Sequence, residues 1–218
     1  MNNRLPPLVP VFRFSIVAAP SESSENAKQR VGVNNIVYRG AYPTLKNLRF
    51  LRRLRLRTLV SLVPEDGVTG DLATFCDQEE IDMHHFAVPK GGDLTPSAVA
   101  KILSILIDPY RLPVYLHCLD GTRITGLVVM TLRKLQNWTP ISYQNEYLRF
   151  AKTKQVNEED RNFVSLFSEE VSVPERIPSW LWGGVIPDAH PGGVRLKFGE
   201  HTLSGNSFLA DRGTTMGS

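Results

Sequence analysis

The chain is poor in features that define whole classes of protein. It has only two cysteines among 218 residues, Cys76 and Cys118, too few for a disulfide framework or a cysteine-built zinc site. A reducing, cytoplasmic setting is therefore expected. No apolar run approaches the roughly 18–20 residues that cross a bilayer, so no membrane span is expected. The first residues lack a continuous hydrophobic region, because Pro6, Pro7 and Pro10 break it, and no secretory leader is expected. Excess charge is small: 25 Lys and Arg against 22 Asp and Glu give +3, too little by itself to argue for nucleic acid. No repeat recurs at a fixed period. His84 and His85 alternate along a strand with no third ligand at metal spacing, so neither a metal nor another cofactor is expected.

What is present is an ordinary globular composition, 42% hydrophobic and 22% charged, enough for one domain of about 150 residues with appendages. Patterning predicts strands over 12–17, 36–38, 58–63, 83–88 and 113–117. It predicts helices over 44–54, 71–80, 95–107, 124–135, 140–152 and 157–168, with Thr44 and Thr95 as caps and Pro96 at a first helical position. Leu45, Leu48, Leu51 and Leu54 would share the buried face of the first helix. Strands that alternate with helices imply an α/β fold whose central, mainly parallel sheet of four or five strands is flanked by helices. The last two helices are expected to close the order of elements. Residues 1–35 read as a strand and a flexible polar loop, 36–170 as the domain, and 171–218 as an extension. In that extension Trp180 and Trp182 dock and the residues beyond Phe198 are mobile.

The chemistry lies in Pro113-Val-Tyr-Leu-His-Cys-Leu-Asp-Gly-Thr-Arg-Ile-Thr-Gly126. A buried strand runs into Cys118, a short loop holds Gly121, and a helix then opens. A thiol beneath the backbone N–H groups of a helix start is favoured as thiolate, and the same amides bind anions. A thiolate there can attack phosphorus while the surrounding amides hold the other oxygens. A lone cysteine is more often core filler. The strand–loop–helix setting with Gly121, Arg123 and Thr125-Gly126 turns the reading toward an anion-binding loop. Arg49, Arg52, Arg53, Arg55 and Arg57 form a basic run that reads first as a solvated face.

The block resembles the His-Cys-x-x-Gly-x-x-Arg-Ser/Thr-Gly signature of cysteine-dependent phosphatases. Ile36-Val-Tyr-Arg-Gly-Ala-Tyr-Pro43, Leu59-Val-Ser-Leu-Val-Pro-Glu65, Leu132-Arg-Lys-Leu-Gln-Asn-Trp138, Glu146-Tyr147 and Asp160-Arg-Asn-Phe163 extend the match. The whole resembles the plant-and-fungal atypical dual-specificity phosphatases, including the fungal oxidant-induced cell-cycle-arrest proteins, over roughly residues 36–168. The resemblance implies a phosphatase fold with Cys118 as nucleophile and Thr125 supporting the thiolate. It also implies that Leu119, Asp120, Gly121, Thr122 and Ile124 cradle phosphate, with Arg123 as a displaced phosphate-binding arginine. His117 would order the loop, Asp93 would be the general acid, and Lys90 would contact phosphate. Implied substrates are phosphorylated proteins or inositol pyrophosphates, with no nucleic acid and no membrane, and implied partners are related phosphatase-like proteins in a hetero-complex.

The sequence departs from the signature at one position. The family's arginine stands six residues after the cysteine, where this chain has Ile124, and Arg123 is one position early. Thr125 and Gly126 keep the register, so this is a substitution, and one residue on a helix turns a side chain by ~100°. Asp120 adds a carboxylate to a loop built for anions. Two readings follow: a phosphatase acting through a phosphocysteine, or a pseudophosphatase that keeps the fold and works as a binding subunit. A redox role for Cys118 is a third reading, without an evident resolving cysteine.

Overall fold

The computed structural model describes residues 7–21 and 34–199, so most of the polar 20–29 stretch and the tail beyond Gly199 lie outside the described residues. Five strands make the central sheet: β1 (Ser15–Ala18), β2 (Val37–Gly40), β3 (Thr58–Leu62), β4 (Asp82–His85) and β5 (Val114–Cys118). Their order is β1-β2-β5-β3-β4, parallel throughout except for the β1–β2 pair. The two most apolar segments, VYLHC and TLVSL, are buried at all five positions and take central places, as strands covered on both faces must.

The period-2 alternation of β5 divides its side chains between two cores. Val114, Leu116 and Cys118 join the larger cluster beneath α3 (Pro96–Leu106) and α4 (Arg123–Leu135). Tyr115 joins the cluster beneath α1 (Leu45–Leu54) and α2 (Gly70–Gln78). α5 (Pro140–Leu148) and α6 (Glu158–Leu166) pack on the outer side of α4 through Leu127, Met130, Tyr143, Tyr147 and Val164. α5 crosses α4 so closely that a Cβ on Gly126 would lie 2.6 Å from the Tyr147 ring.

Several sequence expectations are corrected. The first strand begins at Ser15 because residues 12 and 13 turn: Arg13 has φ 56° and Phe14 N–H donates to Val11 O. On α1, Leu51 is fully buried but Leu45, at the first helical position, is exposed. Asn47 is buried instead. Its amide donates to the carbonyls of Val9 and Pro10, tying the N-terminal segment to the helix, and its Oδ1 accepts from Thr44 N–H. α5 stops at Leu148 rather than 152, which leaves a loop carrying Phe150 and Lys152.

The helices do not close the element order either. β6 (Glu170–Val173) and β7 (Arg195–Phe198) follow as a small parallel sheet, and β6 packs on α3 with Ser172 N–H on Ser104 Oγ at 2.9 Å. Trp180 Nε1 donates to Asn35 O and Trp182 Nε1 to Leu135 O, both at 2.7 Å. Leu135 O also receives His190 Nε2 at 3.1 Å, so the extension satisfies an orphan carbonyl at the end of α4.

Candidate active site

Parallel strands deliver their carboxyl ends to one edge, and β5 lies between β2 and β3 there, the place where α/β sheets open a crevice. Cys118 ends β5 and α4 begins at Arg123, with Thr122 as its N-cap residue. The intervening loop is pinned to its neighbours by backbone bonds. Tyr42 N–H donates to Leu119 O at 3.1 Å, and Arg13 Nη1 to Asp120 O at 3.2 Å. Gly121 has φ 71°, and a Cβ there would sit 2.7–2.8 Å from the backbone of Gly40 and Ala41. Only glycine fits that bend.

The floor is buried. Cys118 is almost fully buried, His117 and Thr125 completely so, and Thr125 Oγ1 and His117 Nε2 have no protein partner. Burial holds His117 neutral, with its pKa pushed down to about 4 against the pull of its contact with Cys118 O. Tyr115 OH donates to Ala41 O at 2.7 Å, tying β5 to the chain after β2. Arg39, 1% exposed at the end of β2, donates from Nη2 to Gly121 O at 2.9 Å and stacks over Phe150 at 3.9 Å. Its Nε and Nη1 have no partner, and burial lowers its pKa to about 10, partly offset by Glu146 and Cys118.

The rim is charged and paired. Arg123 is taken up by two carboxylates: Nε and Nη2 grip both oxygens of Asp160 at 3.1 and 2.8 Å, and Nη1 meets Asp93 Oδ1 at 2.5 Å. Burial would lower its pKa, but the bonds to Asp160 and Asp93 outweigh that and raise it. Asn157 caps α6 by accepting Asp160 N–H at 2.7 Å, which fixes Asp160 at the helix start. Asp120 turns inward. Its Oδ1 accepts Thr122 N–H at 3.1 Å and Thr122 Oγ1–H at 2.6 Å and lies 3.7 Å from Cys118 Sγ, while Oδ2 pairs with Lys152 at 2.7 Å. Burial alone would raise this carboxyl, but Lys152 and Thr122 hold it at about 2, ionised at neutral pH. Ile124 packs against the larger core, and Lys90 is exposed.

The structure thus gathers Cys118, Asp120 and Thr122 around Asp120 Oδ1 and pairs Arg123 with Asp93, whereas Thr125 Oγ1, expected to support the thiolate, makes no hydrogen bond to Cys118. Sequence reasoning missed Arg13, Lys152 and Asp160 as neighbours of the loop. Asp160 had a signal, being in a motif of the resemblance. Lys152 had none, because its place depends on where α5 stops. The motif residues Arg133 and Glu146 prove to be a two-point ion pair at 2.6 Å that braces α4 on α5. Two clefts lie elsewhere, about 430 Å³ between α3 and the small sheet and about 260 Å³ between α1 and α2. Among the described residues no cluster of three His, Cys, Asp or Glu could hold a metal, and no helix is long and apolar enough to cross a membrane.

Residues 27–186 match the sequence pattern of the "Tyrosine phosphatase family". The chain is 33% identical over 156 residues to "Putative tyrosine-protein phosphatase OCA6" of Saccharomyces cerevisiae, covering 64% of this chain and 69% of that protein. It is 34% identical over 139 residues to "Inositol diphosphatase DSP2" of rice, covering 62% and 67%. Among solved structures, the catalytic core of the PP-IP phosphatase SIW14 from S. cerevisiae superposes with a TM-score of 0.62 at 26% identity, covering 74% of this chain and 89% of that one. Kinase associated phosphatase shares the fold at a TM-score of 0.51 and 15% identity, covering 62% and 87%.

Proposed function

The chain belongs to the tyrosine phosphatase family, in its atypical dual-specificity branch, and within that family we propose that it is an attenuated cysteine phosphatase. It would act on phosphate esters or inositol pyrophosphates, the latter suggested by the names of its rice and yeast relatives. The cysteine-loop geometry supports a covalent route. The Cys118 thiolate attacks phosphorus, an S–P bond forms as the P–O bond to the leaving group breaks, and Asp93 gives that oxygen its proton. Water then attacks phosphorus, the S–P bond breaks, and orthophosphate leaves. The amides of residues 119–124 hold the equatorial oxygens, Thr125 Oγ1 stabilises the departing thiolate, and Lys90 steers the anion. His117 keeps the loop in shape. A free Cys118 thiol suits a reducing, cytoplasmic compartment.

One observation carries the attenuation: Arg123 is bound to Asp160 and Asp93, and Ile124 occupies the position of the family's arginine. A missing preorganised cation at the transition state costs about 10²–10³ in rate. Asp93 must also leave Arg123 before it can serve as an acid.

Phosphate release from a phosphotyrosine peptide and from a diphosphoinositol polyphosphate tests this. Slow release by the wild type, none by Cys118→Ser, and a gain of about 10²-fold in kcat/KM for Ile124→Arg are expected. Turnover that survives Cys118→Ser would end the covalent route, and no gain from Ile124→Arg would end the arginine account.

A second reading, a pseudophosphatase subunit in a hetero-complex with related proteins, is favoured by the fully satisfied Asp120 carboxylate beside Cys118. Trp180 and Trp182 use their N–H groups within the domain, so such a complex would form elsewhere on the surface. Affinity purification recovering the same relatives with wild type and with Cys118→Ser, alongside undetectable turnover of Ile124→Arg, would favour it.

A further inference from the structure

We infer that the Asp120 carboxylate is an internal ligand of the 118–125 loop, occupying the place an oxygen of an incoming phosphoryl group would take. This rests on reading that loop as the phosphate site and adds what now fills it. Asp120 Oδ1 takes the N–H and O–H of Thr122 at 3.1 and 2.6 Å, the kind of donors at a helix start that bind an oxyanion. The same oxygen faces the nucleophile, 3.7 Å from Cys118 Sγ. A contact from residue i to the amide of i+2 would alone be an ordinary Asx turn. Two features go beyond one. The nucleophile's own sulfur lies within reach of the carboxylate, and Lys152, from the loop between α5 and α6, holds the second oxygen at 2.7 Å. Arg13 fixes the backbone behind it through Asp120 O. The carboxylate is thereby clamped from two elements, the start of α4 and the α5–α6 loop, while the N-terminal segment holds its backbone.

The consequence is competition for a seat, which differs from repulsion at a distance. A phosphoryl group enters only after Asp120 rotates out and releases Thr122 and Lys152. Apparent affinity then falls by the fraction of molecules in which the seat is empty. Asparagine at 120 removes the charge but keeps an oxygen able to accept from Thr122, whereas alanine empties the seat, so the two substitutions separate occupancy from charge.

The test is protection of Cys118 from iodoacetamide by orthophosphate on the full chain, read at the Cys118 peptide by mass spectrometry and expressed for each variant as the ratio of rates without and with phosphate. Asp120→Ala is expected to bind phosphate at least about tenfold more tightly than wild type, which corresponds to a seat empty in about a tenth of wild-type molecules. Asp120→Asn is expected to gain clearly less. Equal gains from both would overturn occupancy in favour of simple repulsion. No gain from Asp120→Ala, with a gain from Ile124→Arg, would overturn the shared seat while leaving the phosphate site intact. If Asp120→Ala, Ile124→Arg and their combination all leave Cys118 unprotected, the loop is not a phosphate site and the underlying reading falls with the inference.

Discussion

The floor beneath Cys118 and the rim around it handle charge in opposite ways. On the floor, Cys118, His117, Thr125, Tyr115 and Arg39 are all buried, and the Arg39 guanidinium bonds the loop through Gly121 O with no carboxylate of the described residues on it. On the rim, Arg123 and Lys152 are each matched by carboxylates: Arg123 by Asp160 and Asp93, Lys152 by Asp120. A phosphatase loop needs the reverse at its rim, with cations free for the phosphoryl group. The comparison teaches that the shape of the loop and the place of Cys118 are maintained by packing, while the charge around them depends on a few side chains that can be turned to other partners without disturbing the fold.

Breaking the floor should cost most. Gly121→Ala forces a Cβ against the Gly40 and Ala41 backbone at a positive φ. The loss should be roughly 3–4 kcal/mol, measured as a shift of the urea midpoint at unchanged slope. Asp160→Ala comes next. Asp160 is only 2% exposed and Arg123 about a third exposed, so removing the carboxylate should cost about 3 kcal/mol, the low end for a broken buried pair.

Acidification probes the floor through His117. The folded imidazole takes its proton near pH 4 and the unfolded one near 6.5, so between these values the unfolded state binds more protons. Stability should therefore fall as pH drops from about 7 to 4, by roughly 2–3 kcal/mol. The pH dependence of the denaturation midpoint, flattened in His117→Gln, would register it. The smallest effect is at the rim: Asp93 is 58% exposed, so Asp93→Ala should change stability by under about 1 kcal/mol, an outcome a calorimetric Tm would check. Loss on the scale of Asp160→Ala would mean that the exposed and the buried carboxylate on Arg123 contribute alike.

Much of this was legible in the chain. The apolar segments around 59–62 and 114–118 dictated central strands, and Thr95-Pro96 marked a helix start that the structure shows with Thr95 Oγ1 accepting Ala98 N–H. β6 and β7 were not legible, since four residues alternating once or twice resemble any loop, and their pairing joins segments about 25 positions apart. Asn47 also escaped pattern reading, because a buried asparagine looks polar until its carbonyl partners at Val9 and Pro10 are in place.

The sequence by itself determined the layered α/β domain, the placing of Cys118 at the end of a buried strand before a glycine bend, and the one-residue displacement of the arginine. These follow from local periodicity and from steric limits on single residues. Only the tertiary structure decided where the charges go. That Arg123 would reach Asp160 and Asp93, that Lys152 would hold Asp120 beside the thiol, and that Arg39 would lie beneath Gly121 depend on which loops meet at the sheet edge. Ion pairing acts through space between groups distant in the chain, so no local pattern encodes it.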